Sequence, residues 1–283
     1  MPFTLIKGTF HVVGYSPDGD SLRFKARNIA NWSKLVGKYK VNLSKGPKVQ
    51  LRVEGIDSLE THYSRSPVRH QPEDLADEAT DELLKLLKIR NVVWSPKRSR
   101  VRSADDGVDG YILAREAGTR GRPICFVFQG DAPETDGSDV FLDAARVRKS
   151  VNYAMMKVGH AYPLYYDTLF FDLRQELSKA VQIARAANLG VWARDTSEKL
   201  FKGTNVNDLE NNLVIWPKLF RRLIKHKRSG QPMSRFADRL AREKITIIPT
   251  VHHTRLDTAV EIQGNQLRLL HPPEDLVVGS VIR

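Results

Sequence analysis

The sequence predicts an α+β fold in which helices pack on a small antiparallel barrel and a smaller α/β extension follows. Two observations lead to this fold class. Most apolar stretches are short, alternate with polar residues and end in turn residues, which is typical of β-hairpins. Only a few segments repeat their apolar residues at helical spacing. Because strands and helices do not alternate regularly, a parallel doubly wound sheet is not expected.

The predicted strands lie mainly in the first half of the chain. Residues 4–24 have the pattern of a hairpin with Asp18-Gly19 at its turn. A second apolar alternation, over residues 49–56, ends at Asp57. Further strands are expected at residues 91–94, 111–113 and 124–128. The only cysteine, Cys125, has apolar neighbours and is interpreted as a buried strand residue rather than a nucleophile.

Helical spacing predicts three helices in this part of the chain. The first covers residues 73–87 behind Pro72, a proline that suits the first turn of a helix. The second covers residues 150–158 before Gly159, and the third residues 173–188 before Gly190. Residues 129–139 are expected to form a long polar loop.

The character of the chain changes near residue 198. Residues 199–283 contain 15 lysines and arginines against 8 aspartates and glutamates, a net +7 of the total +12. We therefore predict two domains, residues 1–197 and residues 198–283. In the second, residues 208–228 are partly amphipathic but interrupted by Pro217, residues 244–248 form a strand, and Gly264-Asn265 is the turn of a hairpin.

The charge of the chain favours a polyanionic partner. Its net charge is +12 and its isoelectric point about 9.8, and clustered lysine and arginine bind a phosphate backbone by releasing its counterions. The basic stretch 221–228 is either such a contact or a solvated helix end. No apolar run approaches the length of about 18 residues that a membrane helix needs, and no signal peptide is recognised, so a cytoplasmic location is expected.

Three short segments, far apart in the chain, carry complementary charges. They are Asp18-Gly19-Asp20, then Arg52 followed by Asp57-Ser58-Leu59-Glu60-Thr61, and then Gly121-Arg122-Pro123. Taken singly, each has an ordinary explanation as a turn, a loop rim or a solvent-facing arginine. Taken together they supply carboxylates for a hard cation such as Ca²⁺. They also supply two arginines and a carboxylate base, the groups that phosphodiester hydrolysis requires.

The combined order of these segments resembles the staphylococcal nuclease (thermonuclease-like) family over about residues 8–192. The same resemblance includes Ser21 after the first motif, residues 151–154 with Gly159, and the helix from Ala180 to Trp192. It implies a five-stranded antiparallel barrel of the OB type. It also implies a Ca²⁺-dependent, sugar-nonspecific endonuclease that hydrolyses DNA, RNA or both, favours single-stranded or frayed regions, and leaves 3′-phosphate products.

The resemblance also assigns roles to individual residues. Asp20, Asp57 and the carbonyl of Ser58 would bind Ca²⁺, Glu60 would act as general base or orient water, and Arg52 and Arg122 would hold the phosphate. Tyr165 and Tyr166 would flank a nucleotide base, with Arg120 as a further phosphate contact. The chain departs from the family at Leu59, where a proline is usual. A second alignment would place Tyr111 in the position of Arg122.

Two other functions stay open at this point. In the first, the domain lacks catalysis and serves as an OB-fold module that binds nucleic acid or a protein, although carboxylates beside the phosphate would then repel the ligand. Alternatively, residues 198–283 form a docking domain that delivers a nuclease to DNA or to another protein.

Overall fold

The structure, a computed structural model, describes residues 2–64, 66–248 and 250–279. It is a mixed α+β protein, as the sequence predicts. Its contacts divide it into two compact units: unit 1 comprises Met1–Glu54 and Ala79–Met155, and unit 2 comprises Gly55–Glu78 and Met156–Arg283. The predicted boundary at residue 197 therefore falls inside unit 2. The reason is that residues 55–78 and the segments on both sides of position 197 pack together.

The strands, in chain order, are β1 (Phe3–His11), β2 (Arg23–Ala26), β3 (Lys48–Gln50), β4 (Arg52–Val53), β5 (Ile56–Asp57), β6 (Val93–Trp94), β7 (Val101–Ser103), β8 (Val108–Ala117), β9 (Pro123–Gln129), β10 (Asp139–Val140), β11 (Tyr162–Pro163), β12 (Tyr165–Tyr166), β13 (Phe201–Lys202), β14 (Lys244–Ile247), β15 (His252–Arg255), β16 (Val260–Gln263), β17 (Gln266–Leu269) and β18 (Leu276–Val278). The α-helices are α1 (Glu73–Leu86), α2 (Ala144–Val147), α3 (Val151–Lys157), α4 (Phe171–Ala186), α5 (Val206–Asn211), α6 (Pro217–Arg228) and α7 (Phe236–Leu240). Short 3₁₀ helices occupy Ile29–Lys34, Pro96–Arg98, Gly190–Ala193, Met233–Arg235, Leu256–Ala259 and Pro273–Asp275.

Unit 1 is organised around one curled sheet. Its strand order is β3-β2-β1-β8-β9-β4, and β10 also pairs with β1. The pairs among β1, β2, β3, β8 and β9 are antiparallel, but β4 runs parallel to β9. The expectation of a wholly antiparallel sheet is therefore wrong at this pair. Only Leu51 separates β3 from β4, so one stretch of chain pairs with β2 first and then reaches β9 in the parallel direction.

The helices follow the predicted spacing closely. Helix α4 buries Leu173, Leu177, Ala180, Val181 and Ala184, the face that the sequence predicts. Burial of such a stripe, rather than intrinsic propensity, supplies most of the stability of a helix in a protein. The predicted helices at residues 73–87 and 150–158 are confirmed as α1 and α3.

Unit 2 combines small sheets with helices α4 to α7. The predicted turn at Gly264-Asn265 joins β16 to β17, and the predicted strand at 244–248 is β14. The predicted interruption of residues 208–228 is confirmed: α5 ends at Asn211, and a separate helix, α6, begins at Pro217. A proline is suited to this position because its missing N–H has no partner inside the helix there. Among the described residues, no helix combines the length and the apolar character needed to cross a membrane.

Candidate functional site

The Asp18-Gly19-Asp20 segment of unit 1 forms the predicted tight turn and lies against β4. Asp18 and Ser21 exchange two backbone hydrogen bonds of 3.1 Å. Immediately after the turn, the N–H of Leu51 donates to the carbonyl of Leu22 at 2.8 Å, and that of Val53 donates to the carbonyl of Asp20 at 3.0 Å. These bonds fix the turn beside the strand that carries Arg52.

A second loop of unit 1, between β8 and β9, brings Arg122 to the same place. Gly121 has φ of +70°, a left-handed conformation that favours glycine, and a Cβ atom there would lie 2.8 Å from the backbone nitrogen of Asn42. The next residue is Arg122, and Ile124 on β9 is the register partner of Arg52 on β4. The parallel pairing of β4 and β9 therefore places the two arginines on neighbouring strand ends.

The charges of this group act on Arg122. Partial burial lowers the pKa of its guanidinium, and the positive charges of Arg52 and Arg120 lower it further, whereas Asp20 and Asp18 oppose the shift. An arginine nevertheless stays protonated at every physiological pH, so Arg52 and Arg122 both carry a positive charge near the carboxylate of Asp20. We call Asp20, Arg52 and Arg122 the arginine cluster.

The two residues considered for the second arginine position, Arg122 and Tyr111, have different surroundings. Tyr111 lies on β8 opposite Phe128, and the two rings stack with centroids 4.7 Å apart. Its hydroxyl accepts from Arg146 at 3.4 Å. Arg122, not Tyr111, is the residue whose charge interacts with Arg52 and Asp20.

Unit 2 contains the two remaining carboxylates, and both bind an arginine. Asp57 closes β5, pairs with Tyr162 of β11, and has a side chain only 1% exposed. Arg221 of α6 donates through Nη1 to Asp57 Oδ1 at 3.0 Å and through Nη2 to Asp57 Oδ2 at 2.8 Å. Its Nη1 also donates to Glu60 Oε1 at 2.6 Å. We call Asp57, Glu60 and Arg221 the carboxylate–arginine cluster.

The electrostatics of Arg221 reflect these contacts. Burial works to lower the pKa of its guanidinium, but the charges of Asp57 and Glu60 and the hydrogen bonds to them outweigh burial and hold the pKa well above its ordinary value. Ca²⁺ takes about six to eight oxygen ligands, whereas here a guanidinium engages both oxygens of Asp57. In the described conformation these side chains fit a guanidinium and do not fit Ca²⁺.

Gln71 holds the Glu60 loop and the start of α6 in one framework. Its N–H donates to the carbonyl of Glu60 at 2.8 Å, and its side-chain oxygen accepts from the N–H of Glu60 at 3.3 Å. Its side-chain nitrogen donates to the carbonyl of Ile215 at 2.8 Å, two residues before α6 begins. The position of Arg221 relative to Glu60 is thus fixed from both sides.

Asn152 plays a comparable part in unit 1. Its side chain is fully buried. The amide oxygen accepts from the N–H of Val127 at 2.9 Å, and the amide nitrogen donates to the carbonyls of Glu54 at 2.8 Å and Cys125 at 3.3 Å. The side chain thus extends the pairing of β4 with β9 beyond the end of β4. Neither Gln71 nor Asn152 was predicted, although a polar amide inside an otherwise apolar helix start was a usable signal for Asn152.

The other predicted site residues have different surroundings. Tyr165 is fully buried and its hydroxyl hydrogen-bonds to Ser178 at 3.1 Å, so its ring does not face solvent where a base could stack on it. Tyr166 is half-buried at the end of β12, and Arg120 is exposed in the β8–β9 loop. Ser58 is buried. Leu59, which replaces the usual proline, is fully enclosed in the core.

Cys125 is confirmed as a buried strand residue. It lies on β9, and burial raises the pKa of its thiol well above the ordinary value. A thiol in this state is a poor nucleophile.

Comparison with family models and with curated proteins finds no match for the chain.

Proposed function

We propose that the protein is a nuclease that binds DNA, RNA or both by the phosphodiester backbone and hydrolyses it. The observation that carries the proposal is the convergence of Arg52 and Arg122 beside Asp20 in unit 1. Two arginines held close together repel each other, and a phosphate group between them replaces that repulsion with charge-assisted hydrogen bonds. The net charge of +12 adds a general attraction for a polyanion.

The topology of unit 1 supports an OB-type barrel, which is part of the proposal. The strand order starts at β3 and ends at β4, two strands that only Leu51 separates, so the order returns to the stretch where it began. OB-folds bind oligonucleotides through the loops that follow their first and fourth strands. In this chain those loops are the β1–β2 connection, with Asp20, and the β8–β9 connection, with Arg120 and Arg122.

In the proposed reaction, Arg52 and Arg122 hold the non-bridging phosphate oxygens and stabilise the charge that develops on them. Positioned donors of this kind contribute on the order of 10²–10³ in rate each. The family resemblance assigns to Glu60 the role of orienting water and accepting its proton. Its carboxylate is available for this only when it is released from Arg221.

A second candidate function is supported by one specific observation. Arg221 neutralises Asp57 and Glu60, and with these carboxylates engaged the chain would bind a phosphate backbone without cleaving it. Both candidates share the arginine cluster and differ in whether Glu60 acts on water.

Binding is tested by fluorescence anisotropy with a labelled single-stranded oligonucleotide over a range of salt concentrations. Each of Arg52→Met and Arg122→Met should weaken binding and flatten the logarithmic salt dependence by about 0.7 per lost contact, the value for single strands. The control is Arg27→Met, which removes the same charge from an exposed position of unit 1, just beyond the opposite end of β2 from Asp20. If all three variants bind alike, the phosphate site is elsewhere.

Hydrolysis is tested on single-stranded DNA, duplex DNA and RNA, with Ca²⁺, with Mg²⁺ and with a chelator. The wild-type protein is compared with Glu60→Gln, which keeps the shape of the side chain but cannot accept a proton, and the expected loss is on the order of 10²-fold or more. Equal cleavage by both proteins excludes Glu60 as the base. Binding without any cleavage supports the second candidate.

A further inference from the structure

The cation beside Asp57 and Glu60 belongs to the protein itself. Arg221 donates to both oxygens of Asp57 and, through the same Nη1, to Glu60. Two nitrogens thus bond to three acceptor oxygens. Asp57 is nearly inaccessible to solvent, and a buried carboxylate requires a compensating charge or proton. Arg221 provides that charge, at the position where the resemblance expects a divalent ion.

We propose that Arg221 is an internal cation that competes with divalent metal ions for Asp57 and Glu60, so that α6 controls access to these carboxylates. The inference rests on the proposed function for its biological meaning. It does not rest on it for its chemistry, because Asp57, Glu60 and Arg221 all belong to unit 2 and their competition with a metal ion needs no nucleic acid.

The neighbours of Arg221 on α6 show that its contact is specific. Arg222 and Lys218 both bind Glu243, Lys218 at 2.6 Å, and do not contact Asp57 or Glu60 among the described interactions. Three cations within two turns of helix thus divide between three carboxylates: Arg221 binds Asp57 and Glu60, and the other two bind Glu243. Of these three cations, Arg221 is the one bonded to Asp57 and Glu60, so removing it leaves the Lys218 and Arg222 pairs in place.

The contact is also built into a fixed framework. Trp216, directly before α6, is fully buried and donates its indole N–H to the carbonyl of Pro163 at 3.0 Å. Pro163 belongs to β11, which pairs with the strand that ends at Asp57. Together with the Gln71 bonds to Glu60 and Ile215, this anchors the beginning of α6 to the carboxylate segment. Replacement of the guanidinium by a metal ion therefore requires movement of the Arg221 side chain and not of the start of α6.

Competition makes a quantitative prediction for metal affinity. When a binding-competent state is populated only in a fraction of molecules, the apparent affinity falls by that fraction. If Arg221 engages the carboxylates in about nine-tenths of molecules, Ca²⁺ binding is weakened about tenfold, and more if the contact is more complete. Removing the guanidinium should remove this penalty.

The experiment measures Ca²⁺ binding by isothermal titration calorimetry at constant ionic strength, without nucleic acid. Arg221→Ala is compared with the wild-type protein, with Arg222→Ala as a matched control, and with the double variant Arg221→Ala/Asp57→Asn. We expect Arg221→Ala to bind Ca²⁺ at least about tenfold more tightly than the wild type, and the control to bind like the wild type. The double variant should not show the tighter Ca²⁺ binding of Arg221→Ala.

A thermal measurement covers the case in which Arg221→Ala folds poorly. A ligand that binds only the native state raises the melting temperature, so Ca²⁺ should raise that of Arg221→Ala by more than that of the wild type. If the variant is unfolded in chelator, folding on addition of Ca²⁺ also supports competition. An Arg221→Gln variant then repeats the test with a hydrogen-bonding but neutral side chain.

Three results overturn the inference. They are unchanged Ca²⁺ affinity in Arg221→Ala, an equal gain in Arg222→Ala, and failure of Ca²⁺ to stabilise or fold either Arg221 variant. Failure of the proposed nuclease function looks different: Arg221→Ala then binds Ca²⁺ tightly and still leaves DNA and RNA intact.

Discussion

Asn152 offers a direct test of how the end of β4 is held against β9. Replacing it with alanine removes three hydrogen bonds, to the N–H of Val127 and to the carbonyls of Glu54 and Cys125. The Cys125 carbonyl keeps its bond from the N–H of Glu54 at 2.9 Å. Two backbone groups therefore lose their bond to Asn152 with no replacement from Glu54 N–H: these are the N–H of Val127 and the carbonyl of Glu54.

The expected size of the effect follows from that count. Leaving a buried polar group without its partner destabilises a protein by about 1–3 kcal/mol. For two lost side-chain partners we expect Asn152→Ala to lower the free energy of unfolding by about 2–6 kcal/mol. Asn152→Asp keeps an acceptor for Val127 but no donor for the carbonyls when it is ionised, so its loss should be at least as large at neutral pH.

The assay is equilibrium unfolding in urea, followed by tryptophan fluorescence and by circular dichroism. The control is Asn212→Ala, at an exposed position where the amide donates to Asp208, and its effect should stay within about 0.5 kcal/mol. A loss of less than about 1 kcal/mol in Asn152→Ala contradicts the bridging role, because even one stranded group would exceed it.

Three further predictions concern other positions. Gly121→Ala places a methyl group against Asn42 in a left-handed conformation and should weaken oligonucleotide binding, measured by anisotropy, by displacing the loop; unchanged binding contradicts this. Glu243, bound to Arg222, has a folded-state pKa of about 2 against an ordinary 4.5, so its ionised form stabilises the protein above about pH 4.5 and this contribution is lost as the pH falls through 2. The stability difference between wild type and Glu243→Gln, from urea unfolding, should therefore shrink by about 3 kcal/mol between about pH 5 and pH 2; a constant difference refutes the shift. Tyr165→Phe should leave oligonucleotide affinity unchanged because the ring is enclosed. A clear loss of affinity would instead show that Tyr165 takes part in binding.

Local patterns were sufficient to predict the turns and most helices. Asp18-Gly19 is a turn because of its own residue types, and α4 follows from a five-residue apolar stripe. Arg122 was preferred to Tyr111 because Gly121-Arg122 leads directly into an apolar stretch. That stretch is β9, whose register partner for Ile124 is Arg52.

The contacts that local patterns could not predict join distant positions. Arg221 and Asp57 are 164 residues apart, and Arg221 is one of six basic or histidine side chains in the 221–228 stretch. Periodicity indicates which face of α6 is apolar, but not which cation beside that face meets a carboxylate. The parallel pairing of β4 with β9 was missed for a related reason, because strand direction in a curled sheet depends on the path of the whole chain.

Unit 2 is assembled from two separate stretches, 55–78 and 156–283, and this bears on how the protein is made. During synthesis the stretch with Asp57 and Glu60 leaves the ribosome long before α6 exists, since a chain grows at about 5–20 residues per second. Until then Arg221 is not available to bind the two carboxylates. Likewise, β5 has no β11 with which to pair until residues 162–163 have been synthesised. Unit 2 can reach its final packing only late, when the last third of the chain has emerged, so incomplete chains do not contain the carboxylate–arginine cluster.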